Sequence, residues 1–111
     1  MKLLTTLMII SFSAMSSLTF AGSFKTGQYS GVYGVRDFKI YLPTNNKNLP
    51  LVIMLHGCDQ TSDEFFKSSK IKEVADRENF AILLPEQSKM YNPFGCWNWI
   101  IPGNNSRQGI S

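Results

Sequence analysis

Three features of the chain predict an α/β fold in which antiparallel strands lead into a parallel strand–helix–strand unit. Leu51 to Leu55 and Phe80 to Leu84 are short, continuous apolar runs with no polar face, the pattern of strands covered on both sides. Between them, Thr61-Ser62-Asp63-Glu64 has the Ser/Thr-x-x-Glu spacing of a capping box. Upstream, Arg36 to Leu42 alternates strictly, as an antiparallel strand with one polar face does.

Gly22 to Gln28 is polar and reads as a loose lead-in. Tyr29 to Val35 carries Gly31 and Gly34, which weakens a strand and marks a bulged edge. In Arg36 to Leu42, the spacing puts Phe38, Ile40 and Leu42 on the buried face and Asp37, Lys39 and Tyr41 on the polar one, near a sheet edge. Pro43 to Pro50 is a turn by composition. After the first apolar run the helix begins at the capping box. Ile71, Val74 and Ala75 continue at helical spacing and Asn79 ends it. Asp59, Asp63 and Glu64 read as helix-start charges, and Asp76, Arg77 and Glu78 as a solvated helix face with local pairing. Beyond Pro85 the chain turns irregular around Cys96-Trp97-Asn98-Trp99.

The chain has 111 residues, 43% hydrophobic and 17% charged, a composition that excludes disorder and low complexity. Residues 1–21 form a separate unit: Lys2, an apolar stretch from Leu3 to Phe12, then Thr19-Phe20-Ala21 before a small residue. This is the pattern of a secretory signal peptide with Gly22 as the mature N-terminus. The apolar stretch is interrupted by Thr5, Thr6 and Ser11, too short to anchor stably in a membrane. Lys2 is the only charged residue in 1–21, so cleavage lowers the net charge from +3 to +2. No basic run interleaved with aromatics marks a nucleic-acid surface. Residues 22–111 suffice for one small core. Their two cysteines, Cys58 and Cys96, are expected to pair after export. A zinc site fails on the count, since two cysteines and one histidine cannot supply four protein ligands. No cofactor is expected.

His56-Gly57-Cys58 ends the first apolar run. In a parallel sheet, ligands bind beyond the carboxyl ends of strands, and a turn there can present backbone N–H groups to an ester oxygen that becomes negative. A plain tight turn fits the same residues. Glu86 and Gln87, at the end of the second run, read as loop-capping residues rather than catalytic ones.

"LPLVIMLHGCDQTSDEF", "VADRENFAILLPEQS" and "CWNW" follow one another at close spacing. Together they resemble the N-terminal half of secreted α/β-hydrolase esterases of the poly(3-hydroxybutyrate) depolymerase and feruloyl-esterase-like group. "RDFKIYLP" is similar to the preceding strand of that family. The resemblance spans about Arg36 to Trp99. It implies the N-terminal portion of an α/β-hydrolase sheet, incomplete, acting on a polyester or plant-wall acyl ester. It also implies that the Cys58 backbone N–H is an oxyanion-hole donor, that His56 and Gly57 shape the turn, and that a Cys58–Cys96 bridge ties it to the aromatic loop. Trp97 would be a wall of the substrate cleft or a core aromatic; for Trp99 the core reading is preferred.

The family's serine sits in Gly-x-Ser-x-Gly, followed later by an acid and a histidine. No serine here has that spacing, and His56 is the only histidine. The resemblance therefore implies a truncated chain, inactive alone. Two other readings stay open: a non-catalytic secreted polymer-binding module, and a small disulfide-stapled structural domain. Oligomeric state is not legible.

Overall fold

The computed structural model describes residues 22–32 and 34–106. The expected signal peptide, residues 1–21, lies outside the described residues. The chain forms β1 (Ser23–Gly31), β2 (Gly34–Leu42), β3 (Leu51–Ile53), α1 (Ser62–Ser69), α2 (Ile71–Glu78) and β4 (Ala81–Pro85), then a single 3₁₀ turn at Asn98–Ile100. The four strands make one mixed sheet in the order β1-β2-β4-β3. β2 runs antiparallel to both β1 and β4, and β3 runs parallel to β4. The predicted α/β class, antiparallel strands leading into a parallel βαβ unit, is the observed one.

The lead-in is not loose. Residues 23–31 form a full strand paired from Ser23↔Leu42 to Gly31↔Gly34. Its side chains are mostly exposed, so its hold comes from the ladder and from one aromatic. Phe24 packs 5.2 Å from the Tyr41 ring and 4.8 Å from the Phe66 ring. Gly27 permits a close crossing, because a Cβ there would lie 2.4 Å from Phe38 Cζ. Gly31 and Gly34 close the hairpin rather than a bulge, and Gly34 has φ +110°, a conformation that favours glycine.

β2 is antiparallel and second from the sheet edge, as its alternation suggests, but its two faces are the reverse of the expectation. Tyr41 is fully buried and shares the core with Phe66, Ala75, Ile82 and Leu84, whereas Phe38, Ile40 and Leu42 are only partly buried. The helices cover the Lys39/Tyr41 face. Tyrosine is compatible with that position because its hydroxyl finds a partner: it donates to Asp76 Oδ1 at 2.5 Å. Lys39 keeps its ammonium outside and pairs with Asp63 of α1 at 2.5 Å.

The capping box forms as read. Thr61 Oγ1 accepts from the Glu64 amide at 3.2 Å, and Glu64 Oε2 accepts from the Thr61 amide at 2.8 Å. The helical stretch is broken in two at Lys70, which adopts φ 53° and ends α1. Asn79 ends α2 with φ 57°. Arg77 and Glu78 pair locally on the exposed face. Asp76 is exposed and pairs locally too, accepting from Lys72 one turn earlier at 2.6 Å, and it also accepts from the Tyr41 hydroxyl.

The first apolar run departs most from expectation. Only Leu51–Ile53 is strand, and none of it is covered on both sides: Leu51 is 53%, Val52 37% and Ile53 59% exposed. An apolar run records a demand for cover, and among the described residues β3 is paired only with β4. β4 itself is well covered, with Ala81, Ile82 and Leu84 buried.

Burial works against the Asp76 carboxylate, but hydrogen bonds from Lys72 and Tyr41 outweigh it and hold its pKa below the usual carboxylate range. A depressed carboxylate contributes stability above its unfolded pKa, near 4, that is lost as pH falls through the folded value. Tyr41→Phe should cost about 1 kcal/mol near neutral pH, reduced by the solvent around Asp76. In urea titrations the difference from the parent should narrow below about pH 4; a constant difference would contradict the assignment. Thr61→Ala should cost about 1 kcal/mol through the lost cap, read in the same titrations.

Candidate active site

The parallel pairing of β3 with β4 carries the chain ends of both strands to one edge of the sheet. The ladder runs from Ala81 N–H donating to Pro50 O (2.8 Å) to Met54 N–H donating to Leu83 O (2.9 Å). His56 and Gln87 therefore emerge side by side, 2% and 3% exposed. The Gln87 amide donates to His56 Nε2 at 3.0 Å. His56 Nδ1 lies 2.8 Å from the Gly57 carbonyl oxygen, and the His56 carbonyl accepts from Trp97 Nε1 at 2.8 Å. A Glu86 carboxylate oxygen lies 3.3 Å from Nε2, while its other oxygen accepts from the Ser62 amide at the start of α1, at 2.9 Å. Glu86 thus caps a helix start, and Gln87 caps a loop, as read from their position.

Beyond His56 the turn is exposed, and its amides divide cleanly. Gly57 N–H donates to Gln60 Oε1 at 3.0 Å. Asp59 N–H donates to Phe94 O at 2.7 Å. Between them, the Cys58 amide has no protein acceptor among the described residues. An exposed residue with a free N–H, held by occupied neighbours on either side, is what an anionic oxygen requires of a donor.

A disulfide joins Cys58 to Cys96, so the turn is fastened covalently to the aromatic loop. Gln87 adds a second tie: its Nε2 donates to Cys96 O at 3.0 Å, and its Oε1 accepts from Arg36 Nη1. The Arg36 guanidinium also lies over two rings, 5.3 Å from the centre of Trp97 and 5.5 Å from that of Tyr91, a geometry in which a cation is attracted to the ring faces. Trp97 is partly buried with its ring 5.4 Å from that of His56. Asn98 is buried and bonded by Asn92 and Asn104 side chains.

The structure brings together His56, Gly57, Cys58, Cys96 and Trp97. Trp99 stands apart: it is 67% exposed, contrary to the core reading. Trp97 precedes the 3₁₀ turn at Asn98–Ile100 and Trp99 lies within it. Asp63 and Glu64 do flank the start of α1, and Asp59 pairs with Lys89 at 3.5 Å. Arg36 is the residue that sequence reasoning passed over. Its place at the head of an alternating strand carries no sign that it stacks on an aromatic 61 positions away.

A mixed sheet in the order β1-β2-β4-β3 with a turn of this kind after β3 defines a partial α/β-hydrolase fold. Residues 36–109 match the family described as Esterase PHB depolymerase, and the chain belongs to that family. It is 29% identical over 101 residues to poly(3-hydroxyalkanoate) depolymerase C of Paucimonas lemoignei, covering 91% of this chain and 23% of that protein. It is 31% identical over 77 residues to the bifunctional acetylxylan esterase/xylanase XynS20E of Neocallimastix patriciarum, covering 68% of this chain and 11% of that one. The chain thus spans under a quarter of the length of these relatives. A solved ferulic acid esterase superposes on 61% of this chain and 32% of its own, with a TM-score of 0.49 and 22% identity.

The bridge closes a loop with a sequence separation of 38, for which loop-closure entropy gives up to about 4 kcal/mol. Cys96→Ser should lower the urea midpoint accordingly, and dithiothreitol should lower the parent to the same value. Equal midpoints in oxidising and reducing buffer would rule out the bridge as a source of stability.

Proposed function

We propose that this chain carries the oxyanion portion of a serine carboxylic-ester hydrolase site, with the Cys58 N–H as one donor. The observation that carries the reading is the Cys58 amide in the exposed turn after β3, without a protein acceptor among the described residues and set between two amides that are already bonded. Family membership supports it. When a serine oxygen adds to an ester carbonyl, the carbonyl oxygen gains a full negative charge. A fixed N–H at that place is worth about 3 kcal/mol in the transition state, and it needs no proton transfer of its own. The leaving alcohol departs as the carbonyl re-forms, and water then releases the acyl group from the serine.

No serine in these 111 residues has the Gly-x-Ser-x-Gly spacing, and the single histidine is built into the turn. The chain as it stands is a truncated form of the enzyme, inactive alone. Residues 1–21 direct export, and the disulfide accords with an oxidising compartment. The substrate is an ester of a polymer, a polyester or an acylated plant-wall polysaccharide, as the names of the two relatives suggest. Trp97, partly open beside the turn, is the wall against which an acyl group would rest.

Incubated with p-nitrophenyl acetate or butyrate, the purified 111-residue chain should release nitrophenol no faster than buffer. Turnover that disappears in Ser30→Ala or Ser106→Ala would overturn this reading, since it would place a nucleophile within the chain.

A further inference from the structure

We infer that His56 and Gln87 are positioning residues for the Cys58 N–H: the Gln87 backbone amide selects one tautomer of His56, and that tautomer holds the Gly57–Cys58 peptide plane. The inference rests on the oxyanion role proposed above and adds what orients the donor.

Two contacts decide the proton's place on the ring. Gln87 N–H points at Nε2 from 3.0 Å, so Nε2 must offer a lone pair. The Gly57 carbonyl oxygen lies 2.8 Å from Nδ1; a carbonyl can only accept, so Nδ1 must bear the hydrogen. A neutral imidazole with the proton on Nδ1 satisfies both, and the other tautomer satisfies neither. Glu86 is an ion-pair partner only for a ring protonated on Nε2 as well, and at 3.3 Å it is the farther neighbour.

The Gly57 carbonyl and the Cys58 N–H belong to one peptide unit. It is planar and trans, so the two groups point in opposite directions. Holding the carbonyl against Nδ1–H therefore fixes where the N–H looks. The disulfide restrains the Cys58 side chain, but a single bond at Sγ leaves the peptide plane free to rotate. The amides of Gly57 and Asp59 anchor its flanks; the plane itself is held at the Gly57 carbonyl, closely by His56 Nδ1 at 2.8 Å and more loosely by the Gln60 N–H at 3.3 Å. Gln87 is well suited to set the tautomer because its side chain is clamped at both ends, by Arg36 and by Cys96 O.

The test is NMR on the ¹⁵N-labelled 111-residue chain. Long-range ¹H–¹⁵N correlation at neutral pH should show His56 protonated at Nδ1 and bare at Nε2. The opposite tautomer, or a doubly protonated ring, would overturn the inference whatever the variants do. Residual dipolar couplings then report the Cys58 N–H direction, with β2 and β4 amides as the control for an intact fold. His56→Asn places an amide donor near the Nδ1 position and should preserve the coupling. His56→Gln places its polar end near Nε2, beyond reach of the Gly57 carbonyl, and should shift it. Gln87→Ala keeps the backbone donor and the tautomer, whereas Gln87→Pro removes the donor and should lose the tautomer. A Cys58 coupling unchanged in His56→Gln would overturn the inference. These readouts do not depend on turnover, so they stand or fall separately from the esterase reading.

Discussion

The parallel register of β3 on β4 is the constraint on which the rest of this molecule depends. Pairing Leu51 with Ala81, Val52 with Ile82 and Ile53 with Leu83 delivers His56 beside Gln87. Every contact at the turn follows from that placement. A slip of one residue would send each side chain to the opposite face, exchanging buried Ile82 and Leu84 for partly exposed neighbours and separating the histidine from its amide. The helices help to hold the register. Phe66 and Ala75 pack on Ile82, Leu84 and Tyr41, and the capping box fixes where α1 begins relative to the turn.

The turn is built around a buried polar centre rather than an apolar one. His56 and Gln87 are almost wholly removed from water, and leaving such a group unpaired costs about 1–3 kcal/mol. Here both are satisfied: His56 by an amide, a carbonyl and an indole N–H, Gln87 by an arginine and a carbonyl. Loss of one member would leave others orphaned, so the network is stiff for the same reason that it is expensive to break. The disulfide adds a covalent limit on how far the aromatic loop can drift. Stiffness matters chemically, because a donor helps a developing anion only if it need not reorganise during the reaction.

Much of this was legible because it is local. The capping box lies within four consecutive residues, the βαβ unit shows as two apolar runs around a helical spacing, and two cysteines in the chain leave one possible pairing. What could not be read depends on distant partners. Residues 23–28 look polar and unstructured until Phe24 meets Tyr41 and Phe66 and Gly27 admits Phe38. Alternation located the two faces of β2 but mislabelled them, because Tyr41 counts as polar in a pattern and becomes core once Asp76 takes its hydroxyl. Hydrophobicity likewise marked β3 as covered without saying by what. The hub at Gln87 depends on a backbone N–H, which every residue but proline possesses, so no side-chain pattern could announce it.

The exposed apolar edge at Leu51–Ile53 and the free amide at Cys58 lie on the same strand and its turn. The claim that this segment is the oxyanion portion of an esterase is tested most directly by grafting. Residues 36–106 would replace the matching segment of the Paucimonas lemoignei depolymerase, whose hydrolysis of a soluble ester is then measured with and without Cys58→Pro, a change that deletes the N–H. The account predicts an active chimera whose kcat falls by about 10²–10³ on losing the donor, and by much less in Cys58→Ser, which loses the bridge but keeps the amide. A folded chimera in which the proline and serine variants are equally active would contradict it.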